Sequence, residues 1–195
     1  MKPISVILIA LFFMVACKKN ESNNPSINDR AINKTITAIK VGTNFIISDY
    51  LDLDDDGKLD IKFVGNITDS TKFTSIEGVN DSTNILSDYK NFPSYLGGIV
   101  PISKSMTANT LVDVSSSQWV SLSYMSLIST KVNKAFNDGI HGNGDTYLAF
   151  QIEKNTGDNY YGWMLINVSS DMKTIIVKEV AVNTVANKSI KVGEK

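Results

Sequence analysis

The chain has one cysteine, one histidine and four prolines in 195 residues. The lone Cys17 cannot close an internal disulfide, so any folded part relies on its apolar core. The lone His141 excludes a zinc site of the H-E-x-x-H type, which needs two histidines. No G-x-S-x-G nucleophile elbow is present, and no lysine follows a G-x-x-x-x-G phosphate loop. Nineteen basic residues face twenty acidic ones, for a formal net charge of -1. There is no basic run or stripe and no aromatic-basic interleaving, which excludes a nucleic-acid binder. Beyond residue 16 no apolar run is long enough to span a bilayer. Alanine, leucine and arginine are scarce, so few helices are expected.

What is present starts at the N-terminus. "MKPISVILIALFFMVAC" has Lys2 as a short positive region and an apolar run from Ile4 to Ala16 broken only by Ser5. The run is too short to cross a membrane stably and has the anatomy of a signal peptide over 1–16. The residues "MVAC" resemble the lipobox of bacterial lipoproteins. The resemblance implies cleavage before Cys17, a diacylglyceryl group on its sulfur and an acylated amine. The alternative is an ordinary secretory signal with an incidental cysteine. In bacterial lipoproteins an Asp directly after the cysteine favours inner-membrane retention; here Lys18 follows, which points to the outer membrane of the cell envelope, with the membrane as partner through the lipid anchor. Residues 17–33 are polar and without period, and read as a flexible tether. Residues 34–195 are enough for one domain with a sizeable core.

That domain is rich in Thr, Val, Ile, Tyr, Asn and Ser, a composition suited to strands. "KLDIKFV" (58–64) alternates, with Leu59, Ile61 and Phe63 on one face and Lys58, Asp60 and Lys62 on the other. "TYLAFQIE" (146–153) places Leu148, Phe150 and Ile152 together. "NYYGWMLINVS" (159–169) sets Tyr161, Trp163 and Leu165 against Tyr160, Met164 and Ile166, with Gly162 letting a large ring cross over it or marking a bulge. Short polar turns separate the last strands at sandwich spacing. The stretch 66–116 looks irregular: loops, a short helix near 105–112, and a buried edge strand at "LGGIVPI" (96–102) with Pro101 at its margin.

"DLDDDGKLD" (52–60) concentrates negative charge in one turn. Asp52, Asp54 and Asp56 alternate, Gly57 follows, and Asp60 comes three residues later. The spacing matches positions one, three, five, six and nine of an EF-hand-type calcium loop. Alternate side chains in a curling loop converge on one centre, and Gly57 allows the sharp turn. Lys58, at position seven, offers only its backbone carbonyl. Carboxylates this close repel each other unless a cation sits among them. Oxygen donors without His or Cys favour Ca²⁺ over Zn²⁺. Phe63 stands where the twelfth-position Glu belongs, and strand-like segments flank the loop. The site is therefore a strand-flanked clip with a mainly structural role. Asp49, Asp55, Asp69 and Asp145 are candidates for further ligands. The alternative is a solvated acidic hairpin turn.

"YLAFQI" (147–152), "YYGWMLINV" (160–168), "IIVKEVAVNT" (175–184) and "IKVG" (190–193), downstream of the aspartate loop, resemble a pattern of secreted and surface-anchored bacterial β-sandwich proteins. Ala149 and Val182 depart from it, standing where Gly and Tyr are usual. The resemblance implies an all-β antiparallel sandwich, jelly-roll-like, outside the cytoplasm; it implies no activity. Three functions remain open. One is a structural or binding surface module, with an envelope protein as partner. Another is a glycan-binding component using Trp119, Trp163 or surface tyrosines, although a core Trp163 is the expected reading. The third is a hydrolase using His141 or paired carboxylates, for which no catalytic residue can be assigned.

Overall fold

The structure, a computed structural model, describes residues 27–79, 82–92, 99–116, 118–121, 125–132, 136–154 and 157–195. The expected signal peptide, 1–16, and Cys17 lie outside the described residues. Strands run through the first half as β1 (Ile27–Thr37), β2 (Ile39–Val41), β3 (Asn44–Leu51), β4 (Ile61–Ile67), β5 (Thr71–Gly78), β6 (Thr83–Asn91), β7 (Ile99–Ser103) and β8 (Ser105–Met106). The second half supplies β9 (Leu111–Val112), β10 (Trp119–Ser121), β11 (Ser126–Val132), β12 (Phe136–Gly139), β13 (Asp145–Lys154), β14 (Asp158–Val168), β15 (Thr174–Asn183) and β16 (Ile190–Lys191). Among the described residues there is no helix, and so none long and apolar enough to cross a membrane. The fold is all-β, as the composition predicts.

One hydrogen-bonded path links the strands in the order β1-β15-β14-β13-β6-β7-β11-β5-β4-β3-β2. Pairing is antiparallel except where Leu127 of β11 meets Ile102 of β7. Two corners fold this path into two facing layers. At one, β6 pairs with β13 through Thr83–Ile85 and with β7 through Ser87–Asn91. At the other, β1 pairs with β15 while β2, one residue further on, pairs with β3. The ends of the path are thus consecutive in the chain, and the sandwich is nearly a closed barrel. Closure leaves few strand edges open to unwanted pairing.

The core lies between the layers. Leu148, Phe150 and Ile152 share one face of β13 and pack with Ile47, Ile61, Phe63, Met164 and Ile166. Gly162 pairs with Phe150, and the Phe150 ring crosses it so closely that a Cβ there would lie 2.4 Å from the ring. A second cluster covers the outer face of β13–β15: Ala149, Tyr161, Trp163 and Ala181 lie under Val112, Ile190 and Val192 of the β9–β16 ribbon.

Four expectations are corrected. Residues 27–33, assigned to the tether, belong to β1; Asn28 and Arg30 reach the aspartate loop, and a register shift between Ala31 and Lys34 interrupts the apolar alternation of Ile27, Ile32 and Ile36. The 105–112 segment forms β8, a turn and β9 instead of a helix. There the Thr107 and Thr110 hydroxyls bond each other at 2.9 Å, local bonding that competes with helix. The stretch 66–116 holds all of β5, β6 and β7, with hydroxyl side chains buried in the sheet. The Ser126 hydroxyl links those of Ser87 and Ser103, all three buried. Finally, β7 lies between β6 and β11 rather than at an edge. Its single pairing with β11 leaves room for Pro101, which needs no ladder donor.

Candidate metal centre

The β3–β4 connection carries the aspartates at one end of the sandwich. The turn is built by its own carboxylates, each accepting backbone N–H groups further along the chain. Asp52 accepts from Asp55 at 2.7 Å and from Gly57 at 2.9 Å. Asp54 accepts from Asp56 at 3.3 Å, and Asp56 from Lys58 at 2.9 Å. Asp55 and Gly57 take positive φ angles of 67° and 84°, which Asp tolerates and Gly adopts freely. Leu53 points into the core and pins the loop from below.

Asp60 completes the turn. It is only 5% exposed, and its carboxylate accepts the Leu53 N–H at 2.6 Å. The alternation read over 58–64 therefore starts only at Ile61, where β4 begins. Before it the loop breaks the pleat, so Leu59 is exposed and Asp60 buried. Burial pushes the Asp60 carboxyl up to about 6; the Leu53 N–H opposes this, and the charges of Asp54, Asp52 and Asp56 add to it.

Carboxylate oxygens of Asp52, Asp54 and Asp60 lie within 4.8 Å of one another. Oxygens bound to one Ca²⁺ at about 2.3–2.6 Å can be no more than about 5 Å apart, so the trio fits a single hard cation. Asp56 falls outside the trio but lines the same cleft, of about 160 Å³, with Asp54, Lys58, Asp60, Ser82, Ile152, Glu153 and Lys154. The Lys58 side chain points to solvent, 81% exposed, which leaves its carbonyl as the one atom it can offer a cation.

None of the four further candidates joins the trio. Asp49 bonds the Lys34 ammonium at 2.8 Å. Burial raises its carboxyl, but Lys34 and the Tyr50 N–H hold it below the ordinary value. Asp55 pairs with Arg30 at 2.7 Å. Asp69 lines a cleft with Phe45, Lys72 and Lys173 near the β4–β5 turn. Asp145 is held below its ordinary value by hydrogen bonds from Lys178 and Asn167.

Two groups that the spacing did not reveal bear on the site. Strand β1 reaches across the seam between the layers. Arg30 donates to the Asp52 carbonyl at 2.8 Å as well as to Asp55, and Lys34 donates to the Tyr50 carbonyl at 2.7 Å. From β13, the Lys154 ammonium lies 2.7 Å from Asp54 and 4.0 Å from Asp56. The Asp54 hydrogen bond holds that ammonium above its ordinary pKa, against partial burial. Lys154 and Asp54 also line a second cleft of about 250 Å³, with Asn28, Tyr160, Val182 and Thr184. Residues this distant in sequence leave no local pattern to read.

The other candidate residues are not gathered. His141 precedes β13, whose far end carries Lys154, so it stands at the opposite end of the sandwich from the aspartates. Its Nε2 lies 2.9 Å from Asn137 Oδ1. Burial first, then Lys131, lowers its pKa. Trp163 is fully buried, edge-on to Tyr147 at 5.3 Å. Trp119 is half-buried against Tyr161 and donates to the Asp113 carbonyl at 3.3 Å. The exposed Tyr50 and Tyr89 stand on β3 and β6, with four strands between them on the path. No family model, no curated protein and no solved structure matches this chain.

Proposed function

We propose that the chain is a lipid-anchored protein of the cell envelope, held through Cys17 in the outer membrane, whose aspartate loop binds Ca²⁺ structurally. In this role the sandwich serves as a structural or binding surface module. One observation carries the cation reading: three carboxylates of one turn converge within 4.8 Å, and one of them, Asp60, is buried. A buried carboxylate among like charges is costly unless a cation compensates it. Glycan stacking loses its best residue with Trp163 in the core.

The test is thermal unfolding of the mature chain in calcium and in chelator. Calcium at a hundredfold excess over its dissociation constant contributes about 2.7 kcal/mol. For a domain of this size that raises Tm by roughly 5–10 °C. The Asp54→Asn, Asp60→Asn double variant is expected to show no shift. Equal Tm in calcium and chelator for the unmodified chain would remove the cation reading. Membrane extraction of wild-type and Cys17→Ser protein tests the anchor separately, since only the first should partition with lipid.

A further inference from the structure

The aspartate loop is already supplied with a cation by a distant strand. The Lys154 ammonium sits 2.7 Å from Asp54 Oδ2 and 4.0 Å from Asp56 Oδ2, and the Asp54 side chain is only 8% exposed. Lys154 is the last residue of β13, held opposite Asp158 of β14 by the hairpin register. The ammonium is therefore delivered by the scaffold and does not depend on the loop's own fold. A divalent ion at about 2.3–2.6 Å from the Asp54 carboxylate would crowd an ammonium on the same group, and like charges so close repel strongly away from bulk water.

We infer that Lys154 is a displaceable internal counter-ion: it holds the loop together without a divalent ion and sets the concentration at which one enters. This inference rests on the cation reading of Asp52, Asp54 and Asp60. The displaced ammonium has a place to go. It already lies 5.3 Å from the centre of the Tyr160 ring, whose face attracts cations. Tyr160 lines the second cleft and Lys154 borders both, so a swing of its flexible stem moves positive charge from one cleft into the other. Ion entry thereby changes the lining of the second cleft as well as filling the first.

Calorimetric titration of Ca²⁺ into the mature chain at low ionic strength tests this. Lys154→Met keeps the stem and its packing while removing the charge; Lys154→Gln serves if that variant folds poorly. Calcium should bind the neutral variant about tenfold more tightly, the scale of a partly buried charge pair. In chelator the same variant should melt below the wild type. Lys154→Arg should stay near wild-type affinity. Lys58→Met, which removes an exposed charge 3.9 Å from Asp56, should change affinity less than about twofold. Equal affinities for wild type and Lys154→Met would overturn the counter-ion role and leave the cation reading standing. An equal gain in Lys58→Met would reduce Lys154 to general charge and overturn it too. No calcium binding by any variant would overturn both readings together.

Discussion

At Asp60 the cost of burying charge has a definite pH signature. Its folded-state value of about 6 stands above the ordinary 3.8, so the folded chain holds this proton more tightly than the unfolded one. The stabilisation is complete below about pH 3.8 and is lost as pH rises through 6. A gap of roughly two pH units corresponds to about 3 kcal/mol. Asp49, Asp113, Asp145 and Asp171 are shifted down and act oppositely, losing their contribution as pH falls below the ordinary carboxylate value. In chelator, the Asp60 contribution is therefore expected to decline between about pH 3.8 and 6, while the lowered His141 pKa acts in the opposite sense, so the difference between wild type and Asp60→Asn in urea unfolding at a series of pH values would record it. Asp60→Asn keeps an acceptor for the Leu53 N–H and carries no charge, so it should flatten the decline and be more stable than wild type at neutral pH. With calcium bound the sign reverses, because the ion needs the ionised form. An unchanged slope in Asp60→Asn would assign the pH dependence elsewhere. At this scale the sequence was most legible: the alternate aspartates and Gly57 are local and could be read directly. The burial of Asp60 could not, because it follows from where β4 begins.

At the scale of the strand, β1 shows why a polar segment can be essential to a sheet. One edge is paired with β15 through backbone bonds, while the other is closed by Asn28, Arg30 and Lys34 reaching the aspartate loop and the end of β3. Arg30→Met should loosen both partners together. Amide exchange is expected to rise in 27–37 and in 52–57, at a stability cost of about 1 kcal/mol for one partly exposed, charge-assisted pair. Faster exchange in β1 alone would show that the loop does not depend on the strand. The same contacts explain what sequence could not give. Periodicity detects apolar faces, as it does for Leu148, Phe150 and Ile152 in β13. It misses a strand whose inward groups are hydroxyls, such as Ser87 and Ser103, or whose outward groups grip another segment, such as Arg30. Hydrogen-bond partners far along the chain decide those elements, and no short window contains them.

For the whole molecule, the two larger apolar clusters imply two separable layers of stability. The inner cluster holds the sandwich and includes Leu53, which anchors the aspartate loop. The outer cluster holds the β9–β16 ribbon over Tyr161 and Trp163, with the Val192 N–H donating to the Thr110 carbonyl at 2.9 Å and the Asn109 N–H to the Val192 carbonyl at 2.8 Å. Both tryptophans of the chain belong to the outer cluster or pack against it, so intrinsic fluorescence reports on that layer. Replacing buried Ile190 and Val192 by aspartate places two unpaired charges in an apolar contact, which the ribbon can relieve only by lifting away. Emission should then shift to the red and acrylamide quenching should rise, while the calcium-dependent gain in Tm persists because the loop is pinned to the other cluster. Loss of the calcium response together with the fluorescence change would mean that the layers unfold as one unit. Retention of the response would locate the cation clip in the sandwich alone and leave the ribbon as a cover for Trp163.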